Sequence, residues 1–200
     1  MSSYLVPRGE GKSEYVEKRS SFLGRVIKVE SEDEARAYIA QVKKEHRDAR
    51  HNCWCYIIKD GPERYSDDGE PQGTAGIPML EIFRREKIVN VVCVVTRYFG
   101  GILLGAGGLF RAYTKAAHDA LDDAGREEIV PKNIYRLVCP YPFAEKLKTE
   151  LAGLSGEITG TEYAENVIFT VSVPEEAGES FTSGIYDISN GQIMPEKAEI

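Results

Sequence analysis

Histidine, cysteine and long apolar runs are all scarce in this 200-residue chain, and each scarcity excludes a class of function. The three histidines (His46, His51, His118) and four cysteines (Cys53, Cys55, Cys93, Cys139) nowhere take the spacing of a zinc site. The cysteines do not form a disulfide framework either, so they are expected to be reduced core residues of a cytosolic protein. The longest apolar stretch, around Val91–Val95, falls far short of the roughly 20 residues that a bilayer span requires. The opening residues lack an apolar signal-peptide core. A cytoplasmic chain without a membrane partner is therefore expected. There is no Gly-x-Ser-x-Gly elbow and no His-Glu-x-x-His helix. Gly9-Glu-Gly11-Lys12-Ser13 ends like a phosphate-binding loop, but Val6 stands where that motif needs its first glycine. Gly105-Ala-Gly107-Gly108 is not a dinucleotide fingerprint, because Phe110 takes the third glycine's place.

What is present is an ordinary globular composition: 42% hydrophobic and 28% charged residues, with a mean hydropathy of -0.33. The net charge of -7 is unevenly placed. Residues 1–132 hold 21 Lys+Arg and 21 Asp+Glu, whereas residues 133–200 hold 4 and 11. The C-terminal third therefore carries the whole excess and is a poor surface for nucleic acid. No DNA specificity is expected.

Residues 1–13 read as a tail. The SSFLGRVIKV segment from Ser20 is β-rich with Gly24 marking a bulge or close approach, and Ser31–Glu34 reads as a capping box opening a helix to about His46. Asn52–Lys59 is a strand with both faces apolar, residues 59–73 a turn-rich loop, and a short helix starts between Thr74 and Pro78. Ile88–Val95 is a central strand, and a helix runs from about Leu109 to Ala124. After a linker at 127–132, residues 133–200 give the order β-α-β-β-α-β of a ferredoxin-like unit. The fold class is α+β in two domains, 14–126 and 133–200.

Two constellations can carry chemistry. In the first, Asp67, Asp68 and Glu70 crowd one loop, Ser66-Asp-Asp-Gly-Glu-Pro71. Such acids hold Mg²⁺, accept arginines, or make turns and cap the helix near Thr74. The second runs from Arg97, Tyr98, Gly100 and Gly101 through Gly105, Gly107 and Gly108 to Arg111 and Tyr113. Glycines at a helix start expose N–H groups to an anion, arginines chelate phosphate, and aromatics stack on bases. The opposing reading is that the glycines serve close packing, the aromatics are buried and Arg97 pairs with the acidic loop. We expect Arg97 to be held by Asp67, Asp68 and Glu70, leaving Arg111 and the N–H groups facing the ligand.

Ser66–Pro71, Gly73-Thr-Ala-Gly76, Pro78, Val94-Val-Thr-Arg-Tyr-Phe-Gly-Gly101, Leu104-Gly105, Gly107-Gly-Leu109 and Arg111-Ala-Tyr113 together resemble the signature of the YigZ/IMPACT family. Arg19-Ser-x-Phe22, Ala49-x-His51-x-Cys53 and Tyr56 fit as well, while Cys55 departs from the small residue usual there. The resemblance spans residues 14–124. It implies an N-terminal domain like elongation factor G domain IV and ribosomal protein S-five domain 2. It also implies a ferredoxin-like second domain like elongation factor G domain V. Eukaryotic relatives modulate the translational response to amino-acid starvation, so the implied partners are ribosome, RNA or a translation-associated protein. No settled reaction comes with the family, and no metal-ligand set here supports the prolidase label sometimes given to bacterial members. The expectation is a non-catalytic regulator; the alternative is an enzyme acting on a small phosphorylated or nucleotide ligand in the same cleft.

Overall fold

The computed structural model describes residues 3–198. The chain forms two units: the first runs from Tyr4 to Ile129, and the second takes in Val130 onward.

In the first unit the elements are β1 (Tyr4–Pro7), β2 (Gly11–Glu17), β3 (Ser20–Lys28), α1 (Glu32–Glu45), β4 (His51–Ile57) and β5 (Glu63–Ser66). They are followed by α2 (Gly76–Arg85), β6 (Val91–Tyr98), α3 (Gly105–Ala124) and β7 (Arg126–Ile129). Five strands make one sheet in the order β2-β3-β6-β4-β5, with every neighbouring pair antiparallel. β6 is central because it is apolar on both faces. Val92 and Val94 pack with Val29, Ala35, Ile39 and Val42 on the α1 side. Val91, Cys93 and Val95 pack with Phe83, Leu109, Ala116 and Leu121 on the side of α2 and α3. The Ser31 half of the capping box forms as read, while its return bond falls one residue early, on Glu30 instead of Ser31. The Glu34 N–H donates to Ser31 Oγ at 3.2 Å, and the Glu34 carboxylate accepts from the Glu30 N–H at 2.8 Å.

Several expected boundaries shift. The supposed tail is structural: β1 pairs with β7 from Tyr4↔Ile129 to Pro7↔Arg126, and Val6 is fully buried. Composition hid this strand because its partner lies about 120 residues away. β7 likewise removes most of the expected linker at 127–132, and the unit boundary falls at Ile129/Val130. The loop at 59–73 contains β5, whose exposed residues pair with β4 from Trp54↔Ser66 to Ile57↔Glu63. The central strand starts at Val91 and extends to Tyr98, carrying Arg97 inside the ladder. α3 begins at Gly105, one turn before the expected Leu109; its first turn, Gly105-Ala-Gly107-Gly108, has three poor helix formers and no apolar stripe to mark it as helix.

The second unit contains β8 (Lys132–Cys139), α4 (Ala144–Gly153), β9 (Glu157–Tyr163), β10 (Val167–Pro174), α5 (Gly178–Ile188) and β11 (Glu196–Lys197). Its antiparallel order β11-β8-β10-β9 is that of a ferredoxin-like sheet. Val167, Phe169, Val171 and Val173 form one buried face, covered by Leu147 and Leu151 of α4 and Phe181 and Ile185 of α5. Of the last strand expected at 191–200, residues 199 and 200 lie outside the described residues, and among the others it spans Glu196–Lys197. No helix among the described residues is long and apolar enough to cross a membrane.

Candidate functional site

The three acids of the Ser66–Pro71 loop do not converge; each turns to a different partner. Asp67 turns toward the start of α2. Its Oδ1 accepts from the N–H groups of Ala75 at 3.0 Å and Gly76 at 2.8 Å, and its Oδ2 from the Gly73 N–H at 2.8 Å. It caps a helix whose N-cap residue, Ala75, has no side chain able to do so. Asp68 turns to α1 and β4, accepting from Lys43 Nζ at 2.6 Å and from the Asn52 N–H at 2.7 Å. Only Glu70 reaches Arg97, whose Nη1 donates to Glu70 Oε1 at 2.6 Å. The one group of ligand-type side chains close enough to share an ion, among the described residues, is His118, Asp119 and Asp122. There Lys115 engages Asp119 at 2.7 Å and Arg126 engages Asp122 at 2.9 Å.

The Glu70–Arg97 pair is deeply buried, with side chains 3% and 6% exposed. Tyr113 Oη donates to the same Glu70 oxygen at 2.9 Å, and its ring meets Phe22 edge-on at 5.1 Å. Tyr113 is therefore a supporting residue and not the stacking platform considered from sequence. Burial, with the Cys53 thiol and the Glu70 carboxylate nearby, pushes its phenol well above the ordinary range. Tyr98 also leaves the cleft. Successive strand residues face opposite sides, and its hydroxyl meets His46 Nδ1 at 2.9 Å and Asp48 Oδ1 at 3.2 Å.

The glycines divide by physical cause. A Cβ on Gly100 would lie 2.0 Å from the carbonyl of Arg19, so this position is close packing. A Cβ on Gly108 would come within 2.9 Å of Leu104 Cβ. Gly101 and Gly105 have φ of 84° and 70° with open space around them. At that φ Gly105 acts as the turn into α3, and the first turn behind it has no side-chain cap at its N-cap and no acidic residue of its own. Gly107 has an ordinary φ, and a Cβ there would meet nothing but Arg111 Nη1, at 3.6 Å.

These elements surround a cavity of about 310 Å³ lined by Arg50, His51, Glu70, Arg97 and Phe99, by Leu103, Leu104 and Leu109, and by the start of α3 at Gly105 and Ala106. The ladder explains the cluster, since His51 pairs directly with Arg97 and the Arg50 N–H donates to the Arg97 carbonyl at 3.2 Å. The guanidinium carbons of Arg50 and Arg97 lie 5.6 and 5.5 Å from the Phe99 ring centre. His51 Nδ1 faces the Asp68 carbonyl at 2.8 Å. A carbonyl only accepts, so Nδ1 carries the proton in the neutral ring and Nε2, 3.9 Å from Glu70 Oε1, keeps its lone pair. Arg50, Leu103 and Leu104 were not singled out from the sequence as site residues; the register of β4 against β6 was the missing information. Arg111, expected to face the ligand, is exposed and lies beside Gly107 without lining the cavity.

With this geometry in place, comparison with known families is direct. The Impact N-terminal domain family matches residues 18–121, which contain the whole cleft. The chain belongs to the IMPACT family. A second family, a domain of unknown function (DUF1949), matches residues 137–192. The IMPACT family member YvyE of Bacillus subtilis is 36% identical over 202 residues, covering 100% of this chain and 93% of its own. The IMPACT family member YigZ of Escherichia coli is 33% identical over 198 residues, covering 97% of each. A Dictyostelium discoideum relative named Protein IMPACT homolog is 37% identical over 95 residues, covering 44% of this chain and 27% of its own. A crystal structure described as that of a hypothetical protein aligns with a TM-score of 0.65 at 32% identity, covering 100% of this chain and 98% of its own. The bacterial IMPACT members thus share both units, and the family's defining domain is the one that holds the cavity.

Proposed function

We propose that this IMPACT family member is a non-catalytic cytoplasmic regulator in translation, engaging ribosome, RNA or a translation factor through the cleft of its first unit. The observation that carries this reading is the exposed, uncapped start of α3 beside Arg50 and Arg111. It is a cationic, donor-rich surface on the domain that defines the family. The implied partners are rich in anionic groups, and Arg50 and Arg111 make no ion pair among the described residues.

Sucrose-gradient sedimentation of lysates tests the reading. The protein is expected to travel with ribosomal particles, and a variant with Arg50→Ala and Arg111→Ala is expected to stay at the top. Absence of the parent protein from every ribosomal fraction defeats the proposal.

A second reading, an enzyme acting on a small phosphorylated or nucleotide ligand, is favoured by one observation. His51 Nε2, with its ring fixed from behind by the Asp68 carbonyl, is placed as a base at the cavity wall. Turnover of a nucleotide panel that disappears in His51→Gln would establish that reading.

A further inference from the structure

The longest run of this chain without a charged side chain is Tyr98-Phe-Gly-Gly-Ile-Leu-Leu-Gly-Ala-Gly-Gly-Leu-Phe110, bounded by Arg97 and Arg111. Residues of this kind are ordinarily buried, yet much of this run is at the surface. Phe99 is 39% exposed, Ile102 42% and Leu103 82%. Surface connections are usually polar, and a leucine left in water adds almost nothing to the folded state. Nor do these side chains hang on a loose loop. At one end the Gly100 N–H donates to Ser20 Oγ at 3.1 Å and the glycine packs directly on Arg19; at the other, Gly105 turns the chain into α3. The apolar groups are held out between two anchored ends, ready for a partner at little ordering cost. Exposed apolar surface of this extent marks a place where another molecule sits.

The cavity beside the loop decides which molecule. Phe99, Leu103, Leu104 and Leu109 form its apolar walls, and its volume of about 310 Å³ is at the small end for a ligand pocket. A concave site of this size takes a side chain, which a bilayer surface does not offer. Bases stack on aromatic faces, but the exposed side chains of the loop are aliphatic apart from Phe99, whose ring already carries the guanidinium groups of Arg50 and Arg97. Charge completes the chemistry. Glu70 is matched by Arg97, so Arg50 is the lining guanidinium without an ion pair among the described residues. Stacking on Phe99 leaves its N–H edge available to a carboxylate.

We infer that the cleft docks a segment of a partner protein in which a bulky apolar side chain enters between Phe99, Leu103, Leu104 and Leu109 and a neighbouring Asp or Glu meets Arg50. The inference rests on the cleft being the working site, and it adds what the cleft recognises.

The test is selection of a random dodecapeptide display library on the full chain, followed by fluorescence anisotropy with labelled synthetic copies of the selected peptides. Selected sequences are expected to share a Leu, Phe or Trp with an Asp or Glu close beside it. Leu103→Ser is expected to weaken the best peptide about tenfold or more, the scale of one lost buried leucine contact, while leaving the melting temperature unchanged. Arg50→Glu is expected to reverse the charge preference, so that a peptide with Lys in place of its acid binds this variant more tightly than the original peptide does. No folding defect can imitate that reversal. Lys44→Ala, on α1, is expected to leave binding unchanged. No selected peptide, selected peptides without the acid–apolar pair, parent-like affinity in Leu103→Ser, or an unreversed preference in Arg50→Glu overturns the inference. Hexauridylate binding that Leu103→Ser abolishes, with no peptide selected, puts nucleic acid in the cavity and also overturns it, while leaving the translation reading intact. Peptide binding of the expected kind by a protein absent from ribosomal fractions upholds it and removes the translation reading instead.

Discussion

At the scale of single residues, the first unit turns on a buried ion pair that serves two purposes. Arg97 Nη1 anchors Glu70, Nη2 reaches Ser20 Oγ at 3.4 Å, and the guanidinium lies 5.4 Å from the Phe22 ring centre. Ser20 Oγ in turn accepts from the Gly100 N–H at 3.1 Å, fixing the loop that leads to α3. Such a pair adds little net stability over an apolar substitute, but removing one partner strands the other. Arg97→Ala is therefore expected to cost about 3–5 kcal/mol, because Glu70 keeps Tyr113 alone as a donor within hydrogen-bonding distance. Thermal unfolding followed by circular dichroism checks this, and an unchanged melting temperature would contradict the buried pair. Arg111 is exposed, so the same truncation there is expected to leave stability within about 0.5 kcal/mol of the parent. The two arginines of the glycine-rich stretch are thus separable, one through stability and the other through binding.

At the scale of elements, α3 lies closely against the edge half of the sheet, and glycine makes this possible. A Cβ on Gly24 of β3 would come within 2.4 Å of both the Ala116 carbonyl and Ser13 Oγ. Gly24→Ala must therefore push α3 off the strand, at an expected cost of about 1–3 kcal/mol in urea unfolding. A cost near zero would show that the contact is loose. The sequence made this element pair readable: Gly24 breaks a β-rich run, and the stripe Leu109, Tyr113, Ala116, Ala117, Ala120 and Leu121 is small enough for close approach. The capping box and the alternating face of β10 were legible for the same reason, since their periods are local. β1 and β7 were not. Each is four residues long, and the pairing that makes it a strand joins segments about 120 residues apart. The acidic loop was legible in content but not in direction, because turn geometry sends Asp67, Asp68 and Glu70 to three separate partners. Asp68 and Gly69 both take positive φ, at 44° and 86°, and that reversal cannot be read from composition.

At the scale of the whole molecule, each unit has its own core and the charge is divided between them. Phe22, Phe83, Val95 and Leu121 belong to the first core, and Leu137, Phe169 and Phe181 to the second. A cut between Ile129 and Val130 is expected to give two folded pieces. Alkaline titration then distinguishes them. In the first unit Tyr15, Tyr38, Tyr56, Tyr98 and Tyr113 are all held above the usual phenol value, Tyr38 by burial up to about 12. Above about pH 10 the unfolded chain loses these protons while the folded unit keeps them, so its stability falls as pH rises. Charge separates the pieces a second way. Residues 1–129 hold 20 Lys+Arg against 21 Asp+Glu, and residues 130–200 hold 5 against 11. The second unit repels an anionic ligand through its net field, whereas the near-neutral first unit concentrates unpaired cations at the start of α3. Fluorescence anisotropy with a labelled single-stranded RNA is expected to find all affinity on residues 1–129, weakening as salt rises. Tighter binding by residues 130–200 would move the functional surface to the ferredoxin-like sheet and leave the α3 terminus without a ligand.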